Sequence, residues 1–185
     1  MGEAKSFGDE LVSIYKKNGL IDEKRNFIFT DKSLNNFHYL GLIKAIFPEA
    51  KVINCKRKTL ASIMSIFQNN LIDLAWAHNL GNIFKYFDNY FKIIDEFKKK
   101  NQDFIYDLNF EDFTNDPEIE SKKLLKYCNL TWDKKCLEFY KRKDMISKTT
   151  SRIQIRKPIY KHKTDKYLPY KKFINEYGNK YSWFN

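Results

Sequence analysis

The stretch VINCKRKTLASIMSIFQNN, residues 52–70, decides how this chain is interpreted. Its apolar start predicts a buried β-strand over residues 51–55, and the apolar spacing after it predicts a helix over residues 59–69. Lys56 and Arg57 stand at the turn between the two elements. In open α/β sheets, ligands bind at the carboxyl ends of strands and at helix N-termini, where backbone N–H groups attract anions. The stretch therefore predicts an anion site, and a phosphate is its simplest ligand.

The rest of the chain alternates predicted strands and helices, a pattern typical of a parallel α/β sheet. Two more short strands are predicted, a buried one at 26–30 around Phe27-Ile28-Phe29 and another at 104–108. Helices are predicted at 6–18, 35–47, 79–100, 117–127 and 134–141. We therefore expect an α/β fold with a partial parallel sheet flanked by helices. The expected organisation is one incomplete domain over 1–185, with a basic irregular segment at 147–172.

Composition limits the classes of function that fit. No apolar run approaches the roughly 20 residues of a membrane helix, and the first residues lack a signal peptide's apolar region, so we expect a cytoplasmic protein and no membrane partner. The three cysteines form no paired spacing and the three histidines are scattered, so neither a disulfide framework nor a metal site is expected.

The net charge of +11 favours polyanionic partners. A general field with one local anion site explains it better than a nucleic-acid groove, because basic residues are spread along much of the chain. The alternative, a basic nucleic-acid-binding module, has one candidate surface at 160–170, where tyrosines and lysines interleave.

Five blocks of the sequence resemble, in family order, segments of a known enzyme family. DKSLNNF at 31–37 resembles "DKxPxNF", and residues 55–69 resemble "CxRxPxDxxLSxxxxN". Residues 109–118 resemble "YEDLxxDPE", residues 130–137 resemble "LPWDxxCL", and SRIQIRKPIY at 151–160 resembles "SxxQVRQPIY". These are segments of bacterial helical-repeat sulfotransferases, which are similar to tyrosylprotein sulfotransferases.

The resemblance implies a P-loop-NTPase-like sulfotransferase fold and a reaction. The family transfers a sulfuryl group from 3′-phosphoadenylyl sulfate (PAPS) to a hydroxyl or amine, without a metal, and releases 3′-phosphoadenosine 5′-phosphate (PAP). We expect a hydroxyl acceptor, with protein tyrosine as one candidate, but the sequence does not identify it. The aromatic face of the helix at 79–100 fits either an acceptor cleft or the core.

The resemblance also implies roles for individual residues. Arg57 and Ser65 match the pair that holds the donor's 3′-phosphate, and a separation of eight residues lets a strand-end arginine and a helix serine converge on one anion. Lys32 matches the lysine beside the transferred group, where a cation stabilises charge on the leaving phosphate.

Three further residues match the family less closely. Ser151 matches a serine near the reacting centre, although Thr149 and Thr150 leave its register open. Lys166 matches a second cation on the 3′-phosphate. Phe110 stands where the family has tyrosine, and either packs near the adenine or belongs to the core.

One family segment has no counterpart in this sequence. The strand and loop "PRSGT", whose backbone cradles the donor's 5′-phosphosulfate, are not found, nor is the acidic general base that follows them. We therefore expect the C-terminal part of a sulfotransferase, and the sequence leaves open whether a partner segment supplies the loop. The alternative is a catalytically inactive nucleotide-binding protein.

Overall fold

The structure, a computed structural model, describes residues 2–21, 28–69, 71–142, 154–161 and 164–184. The α-helices are α1 (Gly2–Lys17), α2 (Leu40–Ile46), α3 (Thr59–Gln68), α4 (Leu80–Lys100), α5 (Phe110–Asn115), α6 (Pro117–Tyr127) and α7 (Lys171–Gly178). The strands are β1 (Val52–Lys56) and β2 (Ile105–Asn109). Short 3₁₀-helices cover Asn36–Tyr39, Ala75–His78, Gln102–Phe104, Lys134–Lys141, Gln154–Arg156, Thr164–Tyr170 and Ser182–Phe184. None of the described helices is long and apolar enough to cross a membrane.

The chain forms two compact units. The N-terminal unit comprises Met1–Ala50 and Asn89–Phe104, and the sheet unit comprises Lys51–Asp88 and Ile105–Asn185. The first unit contains α1 and α2, and the second contains β1, α3, β2, α5, α6 and α7. The expectation of a single incomplete domain stays a prediction.

The sheet unit is built on one pair of parallel strands. β1 and β2 run side by side, with Val52 opposite Ile105 and Lys56 opposite Asn109. A parallel pair needs a crossover connection rather than a tight turn, and α3 and α4 lie between the two strands in the chain. α5 and α6 pack against β2. The arrangement confirms the predicted α/β class and, within one residue at each end, the strands predicted at 51–55 and 104–108.

The core of the sheet unit explains why α3, α4 and α7 form. Its buried side chains are Ile63, Met64, Leu80, Ile83, Phe84 and Ile174. Phe84 is fully buried, and the rings of Tyr181 and Trp183 stack on it at 5.7 Å. Of the two interpretations of the α4 aromatic face, the structure therefore assigns its first half to the core.

Local chemistry fixes the ends of α6. Pro117 occupies the first turn, where its missing N–H costs no hydrogen bond. At the other end Asn129 adopts a left-handed conformation (φ 56°) and the N–H of Leu130 donates to the carbonyl of Leu125 at 2.8 Å, which is a Schellman-type cap. The predicted helix over 117–127 is thereby confirmed.

Two expectations about strands are wrong. The backbone of residues 28–30 forms no strand, and Ile28 is 66% exposed, while residues 26 and 27 lie outside the described residues. The ring of Phe29 instead lies edge-on to Tyr15 and Phe47, so packing on helices replaces a hydrogen-bonded ladder. β1 is not buried, since Ile53 is 38% exposed. Within the described residues, β1 pairs only with β2. A sheet of two strands leaves side chains of both strands open to solvent.

The later part of the chain differs from expectation in two places. The predicted helix at 134–141 is a 3₁₀-helix with a kink at Glu138, although Asp133 does cap it by accepting from the N–H of Lys135 at 2.8 Å. The basic segment at 147–172 is described only in part. Its described residues include 3₁₀-turns and the start of α7, a helix that the sequence pattern had not indicated.

Candidate anion-binding site

The turn between β1 and α3 consists of Arg57 and Lys58. α3 has no acidic residue in its first turn, and the side chain at its N-cap, Lys58, makes no capping hydrogen bond. A helix N-terminus carries partial positive charge on its first N–H groups. The turn therefore adds side-chain cations to a backbone that already favours an anion.

A second turn, the junction at which β2 passes directly into α5, lies beside the first. Its cap is Asn109, whose side-chain oxygen accepts from the N–H groups of Glu111 at 2.9 Å and Asp112 at 3.2 Å. This cap starts α5 at Phe110 directly after the strand, with no intervening loop. The sequence pattern had not predicted α5.

Side-chain contacts continue the strand register beyond the ladder. Paired residues of β1 and β2 are 53 positions apart, and Asn54 donates to Asp107, at the same separation, over 2.9 Å. Past the strand ends, the guanidinium of Arg57 lies 5.3 Å from the ring centroid of Phe110.

The next pair in the series joins the two turns through the backbone. The N–H of Lys58 donates to a carboxylate oxygen of Glu111 at 3.1 Å, again across 53 positions. The two turns are thus matched residue by residue, as the strands are.

The cations of the first turn have different surroundings. Lys56 forms an ion pair with Asp107, with a distance of 3.3 Å from Nζ to Oδ2. Arg57 faces an aromatic ring instead, and among the described residues no carboxylate forms an ion pair with it. Its Nε is buried, and no described residue accepts a hydrogen bond from it. An unsatisfied buried donor costs about 1–3 kcal/mol, so an anion that accepts from Nε would remove a penalty as well as pair a charge.

Ser65 lies on the half-exposed polar side of α3. Ser62, Ser65 and Asn69 are spaced three and four residues apart, so they share one face of the helix. The hydroxyl oxygen of Ser65 accepts from the side-chain amide of Asn69 at 3.1 Å. That contact leaves the hydroxyl proton as a donor toward a ligand.

Lys32 lies in the N-terminal unit and is exposed. Its neighbour Asp31 accepts from the hydroxyl of Tyr15 at 2.8 Å, and the amide of Asn36 lies 3.5 Å from the same carboxylate. The hydrogen bond to Asp31 is the main cause that raises the pKa of Tyr15 above its ordinary value. These contacts fix the backbone on which Lys32 stands, while its ammonium group remains open to solvent.

The remaining predicted site residues are described less fully. Ser151 lies outside the described residues. Lys166 lies in the 3₁₀-helix Thr164–Tyr170, which packs against α3, the helix that carries Ser65. Sequence reasoning gave no role to Asp107, Asn109 or Glu111, because their importance depends on the strand register. The described cysteines are free, and no group of three potential ligands among the described residues could hold a metal ion.

Comparison with known proteins identifies the family. The model of the sulfotransferase family matches residues 5–134, which include Lys32, Arg57, Ser65 and Phe110 but neither Ser151 nor Lys166. The chain belongs to this family, whose α/β fold is P-loop-like.

One relative matches most of the chain. The chain is 35% identical over 148 residues, or 78% of its length, to an uncharacterized protein of Aquifex aeolicus (strain VF5). It spans about a fifth of that relative, since the match covers 19% of the relative's length.

The Asn109 cap generates a testable prediction. Replacing Asn109 with Ala removes the acceptor of two N–H groups and should lower the free energy of unfolding by about 1 kcal/mol. Asn109→Asp keeps a capping oxygen and should stay close to the unaltered chain. Urea unfolding measures both variants, and an Ala variant as stable as the unaltered chain would show that the cap does not hold this turn.

Proposed function

We propose that this chain is the nucleotide-recognising part of a sulfotransferase that uses PAPS and a hydroxyl acceptor. The observation that carries the proposal is Arg57, which stands at the N-terminus of α3 and matches a family arginine. Among the described residues, its buried Nε has no hydrogen-bond acceptor and its guanidinium has no ion-pair partner. Family membership over residues 5–134 supports the reaction type. Protein tyrosine is the acceptor class that we would test first.

The residues of the turn fit the 3′-phosphate of the donor. An arginine presents several donors in a planar fork that matches phosphate oxygens. The proposal assigns Arg57 and Ser65 to this phosphate, with Lys166 as a second cation, and it assigns Phe110 to the same nucleotide site. When bound, the donor supplies an activated sulfuryl group.

Two residues are assigned to the chemical step. Lys32 places a cation beside the phosphate that leaves, where negative charge grows in the transition state. Ser151 donates a hydrogen bond near the reacting centre. The sequence offers neither a general base nor a "PRSGT" loop, so the proposal includes a segment, on a partner or elsewhere, that supplies the cradle for the sulfate. A chain that binds the nucleotide without catalysis remains the competing function.

Binding of PAP, the product nucleotide, tests the proposal. Arg57→Ala should weaken PAP binding by about 1–3 kcal/mol, or roughly 5- to 150-fold, because a charged hydrogen bond to an anion is lost. Isothermal titration calorimetry measures the affinity. Lys99→Ala removes one charge at an exposed position on α4 and should leave the affinity within about twofold. Equal losses of affinity in both variants would show that PAP responds only to the overall positive charge. The absence of any binding heat at millimolar PAP would contradict the proposal.

Transfer of labelled sulfate separates the enzyme from the inactive alternative. Using radiolabelled donor and a tyrosine-containing peptide, Lys32→Ala should lower the rate about 10²-fold or more while PAP affinity changes little, because the cation acts in the transition state. Lys32→Arg keeps the charge and should retain part of the rate. A chain that binds PAP but transfers no label, even with the loop segment supplied, would support the inactive alternative.

A further inference from the structure

The aromatic ring of Phe110 contacts Arg57, a cation of the turn that forms no ion pair with a carboxylate among the described residues. The guanidinium of Arg57 lies over the ring at 5.3 Å from its centroid, which is within the range of a cation–π interaction. Phe110 is half-buried, and its position is fixed by the Asn109 cap at the start of α5. The ring therefore has a fixed position beside the long and otherwise flexible side chain of Arg57.

We infer that Phe110 is a positioning residue, which orients the Arg57 guanidinium toward the 3′-phosphate and thereby sets the preference for 3′-phosphorylated nucleotides. This inference rests on the proposed function. It differs from direct stacking on the adenine, because the ring face that the guanidinium covers is closed to a base.

Contact with the ring preorganises the arginine for binding. An arginine side chain has about 2 kcal/mol of rotamer entropy to lose when it is ordered. A ring that holds the guanidinium in place reduces the part of this loss that falls on ligand binding. This lower entropy cost raises the affinity only of ligands that bind the guanidinium. A nucleotide with a 3′-phosphate therefore binds more tightly, whereas the affinity of one without it is unchanged.

The surrounding contacts limit where Arg57 can go. The backbone N–H of Lys58, the next residue, donates to Glu111 of α5, and Lys56, the previous residue, pairs with Asn109 of β2 in the ladder. The backbone on both sides of Arg57 is thus attached to β2 and α5. Phe110 supplies the remaining constraint, on the side chain itself.

The test compares two nucleotides that differ by the 3′-phosphate, PAP and adenosine 5′-phosphate. Phe110→Leu should weaken PAP binding by about 2- to 30-fold and leave adenosine 5′-phosphate within about twofold, as expected for loss of a cation–π contact. Phe110→Tyr keeps the ring face and should retain the preference. Phe110→Met, which also lacks a ring, is the second variant should Leu fail to fold, and thermal melting checks each protein.

A double-mutant cycle separates positioning from direct contact. In an Arg57→Gln background, Phe110→Leu should change PAP affinity by less than about twofold, because the group that the ring orients is gone. Equal weakening of both nucleotides, persisting in the Arg57→Gln background, would overturn the inference in favour of adenine stacking. Unchanged PAP affinity in Phe110→Leu would also overturn it. If the unaltered chain does not bind PAP, both the proposed function and this inference are wrong. That outcome differs from the two above, in which the unaltered chain binds PAP and only the inference is wrong.

Discussion

The parallel register between β1 and β2 is the constraint on which the candidate site depends. It sets Lys56 opposite Asn109, so the residues that follow each strand meet at the same separation as the ladder itself. Arg57 therefore reaches Phe110, and the N–H of Lys58 reaches Glu111. A slip of one residue would turn every side chain of the slipped strand to the other face and separate these partners. The geometry of the site therefore depends on the strand pairing, and the Asn109 cap extends the same register to the first residues of α5.

Much of this arrangement could be predicted from the sequence. Apolar periodicity located both strands and most of the helices, and the cations at the end of the first strand indicated an anion site. The partners of these cations could not be predicted, because the register that joins residues 53 positions apart is set by packing across the chain. The strand expected at 26–30 does not form at the described residues 28–30, and this has a similar cause. An apolar triplet such as Phe27-Ile28-Phe29 fits a strand or an aromatic contact, and the position of Tyr15 and Phe47 decides between them.

The cations of the turn differ in how far neighbouring groups neutralise them. Asp107 neutralises Lys56 and fixes Asn54, whereas Arg57 faces a ring that holds it without neutralising it. A net charge of +11 raises the local concentration of any polyanion, but it does not select one. Selection requires a cation that is held in one direction and has an unsatisfied donor. Arg57 is held over the Phe110 ring, and among the described residues its buried Nε has no acceptor. The structure thus distinguishes one specific cation from a basic background.

The side-chain Nε–H of Arg57 reports on the central claim most directly. Its signal can be followed by ¹⁵N nuclear magnetic resonance while PAP is added, and Arg57→Lys assigns it by loss of the peak. If the turn presents Arg57 to a 3′-phosphate, the signal will shift on titration with PAP and move far less with adenosine 5′-phosphate. A signal that stays in place while PAP saturates the chain, or that moves equally with both nucleotides, would contradict the assignment of this turn to the 3′-phosphate.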